Sequence, residues 1–272
     1  MKPFDFNNKT VVVTGAASGI GLALSKAFAD GGASVALLDV DENGAREQAR
    51  RLTERGSTAA GFGCDVASEP ECLAAIRSVT ERFGGIDVLV NNAGITQRSA
   101  FMDTGIDVFR RVMDINFFGS LYCTRAAIDS IVARKGMIIV IESLAGVSPL
   151  LGRSGYCASK HALHGLFTTL RTEIRPAGAH VMIACPGFIR TNLQTRALGG
   201  DGRVTDHPQS TVGRPDTPEN AARIICKSAR KRKNMVVLTT MGKIGYLVSR
   251  LAPNRYERIM ARQFAAELVR KG

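Results

Sequence analysis

Seven short apolar runs punctuate the chain: Thr10–Thr14, Ser34–Asp39, Ala59–Cys64, Ile86–Asn91, Met137–Ile141, His180–Ala184 and Met235–Leu238. They are rich in Val and Ile and lack polar alternation, the pattern of strands buried on both faces. Between them, stretches near 19–31, 43–55, 68–83, 107–134, 155–176 and 217–231 carry helical apolar spacing. This alternation predicts an α/β fold, a doubly wound seven-stranded parallel sheet with helices on both faces. No repeat or linker divides residues 1–238, and residues 190–216, rich in Gly, Thr, Asp and Pro, read as a long mobile loop. The pattern sets a domain over residues 1–240 apart from an extension over 241–272. There Leu247, Leu251, Ile259, Phe264 and Leu268 alternate with Lys243, Arg250, Arg255, Arg258, Arg262, Arg270 and Lys271, which predicts two basic amphipathic helices interrupted at Pro253.

Charge sharpens that division. The 272 residues carry a net charge of +12, yet residues 223–272 hold 13 Lys and Arg against 2 Asp and Glu. The body is nearly neutral, which argues against nucleic acid as a partner and assigns the excess to a tail rather than to a site. No apolar run approaches the roughly 18 residues of a spanning helix. The start, MKPFDFNNKT, has no apolar signal core. Six cysteines without a CxxC pair fit reduced thiols in a cytoplasm, with neither a disulfide framework nor a zinc site.

The first run leads into Thr14-Gly15-Ala16-Ala17-Ser18-Gly19-Ile20-Gly21 and a predicted helix. Gly15 permits a tight turn, Gly19 lets backbone approach a pyrophosphate, and Gly21 allows close helix packing. The amides at the helix start then face phosphate. The same glycines can also serve an ordinary strand–helix turn. Asp39 ends the second run, where a carboxylate accepts hydrogen bonds from adenosine ribose hydroxyls and repels a 2′-phosphate; Val40 follows and no cation stands at Ala17 or Ser18. The expectation is NAD(H) rather than NADP(H). Asp65 and Val66, after the third run, suit an adenine ring, although an Asp there also caps turns.

Tyr156-Cys157-Ala158-Ser159-Lys160 opens a helix and puts a phenol and an ammonium on one face. An adjacent cation and an oxidised nicotinamide favour the phenolate and move a group that ordinarily titrates near 10 toward working range. Ser143, after the fifth run, offers a hydroxyl to a substrate oxygen.

With TGAASGIG at 14–21, NNAG at 91–94, Asn116 in DINFFG, Ser143 in IESLAG, YCASK at 156–160, and Pro186-Gly187 with Thr191, the chain resembles the short-chain dehydrogenase/reductase family in its single-domain Rossmann form. SLAG and YCASKHAL also resemble the branch near the 11β-hydroxysteroid dehydrogenases. The resemblance implies reversible alcohol–carbonyl hydride transfer without a metal. Tyr156 would be the general acid/base, Lys160 would lower its pKa and hold the nicotinamide ribose, Ser143 would orient the substrate, and Asn116 would hold a relay water. Asn92, Ala93 and Gly94 would line the adenosine side, and Thr191 with the Pro186–Ile189 turn, Gly187 included, would hold the carboxamide. Ser18 and Ile20 complete the cofactor set. A homodimer or homotetramer is implied through the helices at 107–134 and 155–176.

Two residues depart from that pattern. Glu142 puts a carboxylate where a small residue is usual, so it must be paired, protonated or turned outward. His161 follows Lys160 and reads as a packed or capping histidine. An apolar wall of Leu144, Ala145, Val147, Leu150, Phe188 and Leu193, with Phe101, favours a hydrophobic alcohol or ketone. The basic extension suggests peripheral contact with an anionic membrane, or else subunit packing. Competing readings are a non-catalytic nucleotide-binding scaffold, a surface-binding protein on the same fold, and a lyase or epimerase.

Overall fold

Parallel hydrogen bonding joins all seven strands: β1 (Thr10–Thr14), β2 (Ser34–Asp39), β3 (Ala59–Gly63), β4 (Val88–Asn91), β5 (Met137–Ile141), β6 (His180–Cys185) and β7 (Met235–Val237). The computed structural model describes residues 3–211 and 213–268. The sheet order is β3-β2-β1-β4-β5-β6-β7. The chain winds outward from β1 to β3, then crosses back to β4 and winds the other way. The reversal opens a crevice above the carboxyl ends of β1 and β4, where an α/β sheet binds its ligand.

Alternate strand residues feed two separate cores. On one face Val11, Val13, Val35, Leu37 and Ile139 pack under α1 (Gly19–Asp30), α2 (Glu42–Thr53) and α7 (Pro218–Arg230). On the other, Val12, Leu38, Leu89, Ile138 and Val181 pack under α3 (Glu69–Phe83), α5 (Gly119–Ala133) and α6 (Ser154–Ile174). Each fully buried Val, Leu or Ile contributes about 1.5–3 kcal/mol, so both faces of every central strand must be apolar. This explains the unbroken runs. Helix ends follow local rules: Thr217 caps α7 by accepting the Asn220 N–H at 3.1 Å, with Pro218 in the first turn.

Three expectations need correction. The stretch at 107–134 is not one regular helix. α4 (Ile106–Met113) passes through a π turn at Asp114–Phe118 into α5. A π turn carries an extra residue and re-aims side chains locally; here it contains the fully buried Asn116. Gly119, just after it, sits where a Cβ would lie 2.8 Å from Val66. The described residues of 190–216 form no long element but are tied down by bridges from Leu198 to Gln97 and Val204 and from Ile189 to Asp216. Finally, the basic extension does not stand apart from the site. α8 (Thr240–Leu251), α9 (Pro253–Phe264) and a short turn at Ala265–Leu268 fold over the crevice. The Tyr256 hydroxyl donates to Pro149 O at 3.2 Å, the Leu151 N–H meets Met260 Sδ at 3.0 Å, and Phe264 stacks on Phe188 at 6.2 Å. Arg270 and Lys271 lie outside the described residues.

Candidate active site

One continuous cleft of about 750 Å³ runs from Asp39 past the glycine turn to Tyr156 and under α8 and α9. Its first section is built by the turn after β1. Gly15 and Gly19 adopt φ of +63° and +56°, conformations that favour glycine. A Cβ on Gly15 would lie 2.9 Å from Ala93 Cα. The Asn92 side-chain amide donates to the Thr14 and Gly15 carbonyls at 2.8 and 3.1 Å, and the Thr14 hydroxyl accepts the Asn92 and Ala93 N–H groups at 3.0 Å each. The turn is therefore clamped to β4. Ser18 precedes α1 and makes no side-chain cap, which leaves the first-turn amides facing the cleft. Gly21 lies behind the turn, against Gly15 O, rather than on the cleft wall.

Asp39 borders the far end. Its Oδ2 accepts the Ala17 N–H at 2.9 Å and its Oδ1 the Asp41 N–H at 3.0 Å, so the carboxylate is oriented by the turn it faces. Asp65 caps its own turn through the Ala67 N–H at 2.9 Å, while both it and Val66 line the cleft. Ala93, Gly94, Ile20, Pro186, Gly187, Ile189 and Thr191 line it as well. This cradle fits a dinucleotide: the close-approach glycines, the open helix start and the ribose-height carboxylate lie along one groove.

α6 positions the reactive pair. The Tyr156 N–H is capped by the buried Gln97 Oε1 at 3.0 Å, a partner that sequence reasoning missed. The Ser143 hydroxyl accepts the Ala145 N–H at 3.1 Å and lines the cleft with the phenol, whose pKa it lowers. Lys160 Nζ donates to Ile141 O at 2.9 Å and sits 5.8 Å from the Tyr156 ring centroid. In the protein alone the phenol is not acidified. Burial pushes it up to about 12, and Ser143 offsets only part of that. Burial likewise pulls Lys160 down to about 8, against the pull of Glu142 and Cys185.

The lysine shift predicts a pH dependence of stability. An unfolded chain holds this proton up to the ordinary 10.5, whereas the protein releases it near 8. Stability therefore rises with pH across that window, by on the order of 1–3 kcal/mol, and the contribution is absent below it. Urea unfolding at pH 7.5 and 9.5 should show Lys160→Met losing a relative advantage at the higher pH. A constant difference between the two proteins would contradict the assignment.

Asn116 lies behind the cleft. It donates to Ile95 O at 3.0 Å and Ser159 Oγ at 2.9 Å and accepts the Ile95 N–H at 2.8 Å. Gly94 lies between Asn116 and Lys160: a Cβ there would be 3.0 Å from Asn116 Oδ1 and 3.6 Å from Lys160 Nζ. Glu142 is buried and pairs with His164 at 3.1 Å, the first of the three outcomes its position allowed. His161 is exposed and bonds Cys157 O at 2.9 Å, a local helix contact. Leu144, Ala145, Leu150, Phe188 and Leu193 line the cleft, whereas Val147 is buried away from it and Phe101 is exposed against Phe109. The wall gains Val248, Met260 and Phe264 from the extension, which no local pattern marks as site residues.

A doubly wound sheet carrying a glycine-turn cradle beside a Ser–Tyr–Lys cluster defines a nicotinamide-dependent oxidoreductase, and the chain belongs to the short chain dehydrogenase family, whose description matches residues 9–199. Among its relatives are the proteins named dehydrogenase/reductase SDR family member 7B. The one from Mus musculus is 36% identical over 93% of this chain and 80% of its own length, and that from Danio rerio 34% identical over 94% and 86%. The fold is shared with a short chain dehydrogenase/reductase from Burkholderia phymatum solved in complex with NAD, with a TM-score of 0.81 and 23% identity over 96% of this chain and 97% of that one.

Proposed function

We propose that the protein is an NAD(H)-dependent oxidoreductase that interconverts a secondary alcohol and a carbonyl on a hydrophobic substrate. The observation that carries this reading is that Ser143, Tyr156 and Lys160 line one cleft that continues to the glycine turn. Gly15, Ser18, Gly19 and Asp39 hold the adenosine and pyrophosphate half, and Lys160, Thr191 and the Pro186–Ile189 turn the nicotinamide half. When bound, the oxidised dinucleotide supplies a hydride acceptor and a positive charge. Ser143 orients the substrate oxygen, and Tyr156 takes the hydroxyl proton or returns it to the carbonyl. Lys160, charged below about pH 8, stabilises the phenolate, and burial of Tyr156 and Lys160 shields the pair from water. Asn116 fixes the Ile95 backbone and the start of a water relay. A screen of NADH formation over steroid, retinol, fatty and short secondary alcohols tests the reading; no turnover of any of them with either dinucleotide would favour the non-catalytic scaffold.

Asp39 supports NAD(H): among the described residues no Lys or Arg lines the cleft beside it, and a 2′-phosphate there would meet a carboxylate. Asp39→Ala should cut the kcat/KM ratio of NAD over NADP by about tenfold or more, a loss on the scale of one charge contact. A wild type that already prefers NADP sinks the assignment.

The same reading includes peripheral contact with an anionic membrane and a homodimer or homotetramer through α5 and α6. Met241, Ile244, Leu247, Leu251 and Ile259 are each at least half exposed on α8 and α9, among Lys243, Arg250, Arg255, Arg258 and Arg262. Met241, Ile244 and Ile259 also border the cleft. No helix among the described residues is long and apolar enough to cross a membrane. Wild-type protein should float with anionic but not zwitterionic vesicles at low salt, and Leu247→Glu with Leu251→Glu should remain at the bottom of the gradient. Equal flotation of both proteins rules this surface out.

A further inference from the structure

The substrate of the proposed alcohol–carbonyl reaction can be specified further, and the specification rests on that reading. Arg153 stands immediately before α6, three residues ahead of Tyr156, and lines the cleft although only 1% exposed. Its Nη1 donates to Leu151 O at 3.1 Å and to Glu267 Oε2 at 2.5 Å. Its Nε and Nη2 have no hydrogen-bond partner among the described residues. A guanidinium has five N–H donors, accepts nothing and does not give up its charge, so buried unpaired donors on it are unusual.

Other buried polar atoms nearby are also unpaired among the described residues, the acceptor Gln194 Oε1 among them. Arg98, 3% exposed, donates to His207 O at 2.6 Å and Gln194 O at 2.7 Å, and its Nε is also unpaired, as is Gln97 Nε2. Arg98 senses this directly: burial and Arg153 push its pKa down, and Glu267 pushes it back up. Arg153 pairs with Glu267 while Arg98 bonds only backbone carbonyls, so the two buried guanidinium groups carry a net positive charge beside one carboxylate.

Glu267 does not come from the sheet domain. It belongs to the short turn after α9, and its other oxygen accepts the Ser210 N–H from the long loop. The fork of Arg153 is thus half filled by a carboxylate on a peripheral segment. Leu150, Phe188, Leu193, Val248, Met260 and Phe264 give the cleft an apolar stretch.

We propose that Arg153 is an anion subsite of the substrate cleft, and that the substrate is an amphiphile whose apolar body lies under α8 and α9 while its acidic head, a carboxylate or phosphate monoester, docks on Arg153 in exchange for Glu267. Two oxygens of a carboxylate or phosphate can match the guanidinium fork in two hydrogen bonds, where Glu267 makes one.

Calorimetric titration of the intact protein with decanoate, decyl phosphate and decanol tests this without requiring turnover. Wild-type protein should bind at least one of the two anions about tenfold more tightly than decanol, and the tighter anion identifies the head group. Glu267→Gln should tighten that anion further and leave decanol unchanged, because it removes the competing charge. Arg153→Gln should abolish the preference. Equal affinity for all three ligands, or an anion affinity indifferent to Glu267→Gln, reduces the pair to a staple for the extension and overturns the proposal; the second variant decides the matter even if Arg153→Gln does not fold. The NADH assay is scored separately: alcohols turned over without anion preference would leave the reaction standing and the subsite refuted.

Discussion

Tyr156→Phe should lower turnover about a thousandfold, within the 10²–10⁴ range of a positioned acid/base, while NADH still binds. The substitution removes one oxygen and keeps the ring, so the packing of the buried side chain is retained. What disappears is the hydroxyl that faces the cleft beside Ser143 with a transferable proton. Stopped-flow or steady-state assays give the rate, and fluorescence titration of NADH gives the affinity. Activity within tenfold of wild type would remove Tyr156 from the acid/base role and reopen the scaffold reading. The phenol's elevation to about 12 in the protein alone adds a second expectation. Quenching or spectral titration of free protein should show no phenolate from this residue at pH 9, whatever happens in the ternary complex.

The second large effect is structural. Gly21→Ala places a Cβ 2.2 Å from Gly15 O and 2.6 Å from Asn92 Nδ2. Neither neighbour can yield cheaply, because Asn92 is bonded to the Thr14 and Gly15 carbonyls and Thr14 is bonded to β4. The added methyl must displace α1 from the turn, at a cost of about 3 kcal/mol. For a chain of this size that lowers the melting temperature by roughly 6–12 °C, and NADH affinity falls with it. Gly165→Ala, in α6 with nothing within 4 Å of the new Cβ, is the matched control. It should be neutral or stabilise by about 0.5–1 kcal/mol. Calorimetry on the two variants separates them, and similar melting temperatures would show that the turn is looser than its hydrogen bonds indicate.

The parts of the molecule legible in sequence are those whose physics is local. A strand buried on both faces must be apolar at every position, so the seven runs coincide with the seven strands to within a residue or two. Gly15 and Gly19 announce positive φ, and Tyr156 and Lys160 share a helix face by spacing alone. The remainder depends on partners distant in the chain. The π turn at Asp114–Phe118 breaks no local rule of composition. Gln97 caps α6 from 59 positions away, and the Arg153–Glu267 contact spans 114. Basic amphipathic periodicity in α8 and α9 marks one face as apolar without saying what that face covers, so a roof over the cleft reads as a free tail. Phe101 and Val147 failed as wall residues for the same reason: apolar character does not specify direction.

The placement of that roof divides the protein's tasks by order of synthesis. The glycine turn, Asp39 and the Ser143–Tyr156–Lys160 group all precede residue 161, whereas the covering helices follow every strand of the sheet. A nascent chain can complete its dinucleotide groove and one wall of the substrate cleft before the covering wall exists. Exchange of the segment from Thr240 to Leu268 between relatives should therefore retune which molecules are accepted while the nucleotide requirement passes through unchanged, so a single late cassette offers natural variation and engineering the same route to new specificity.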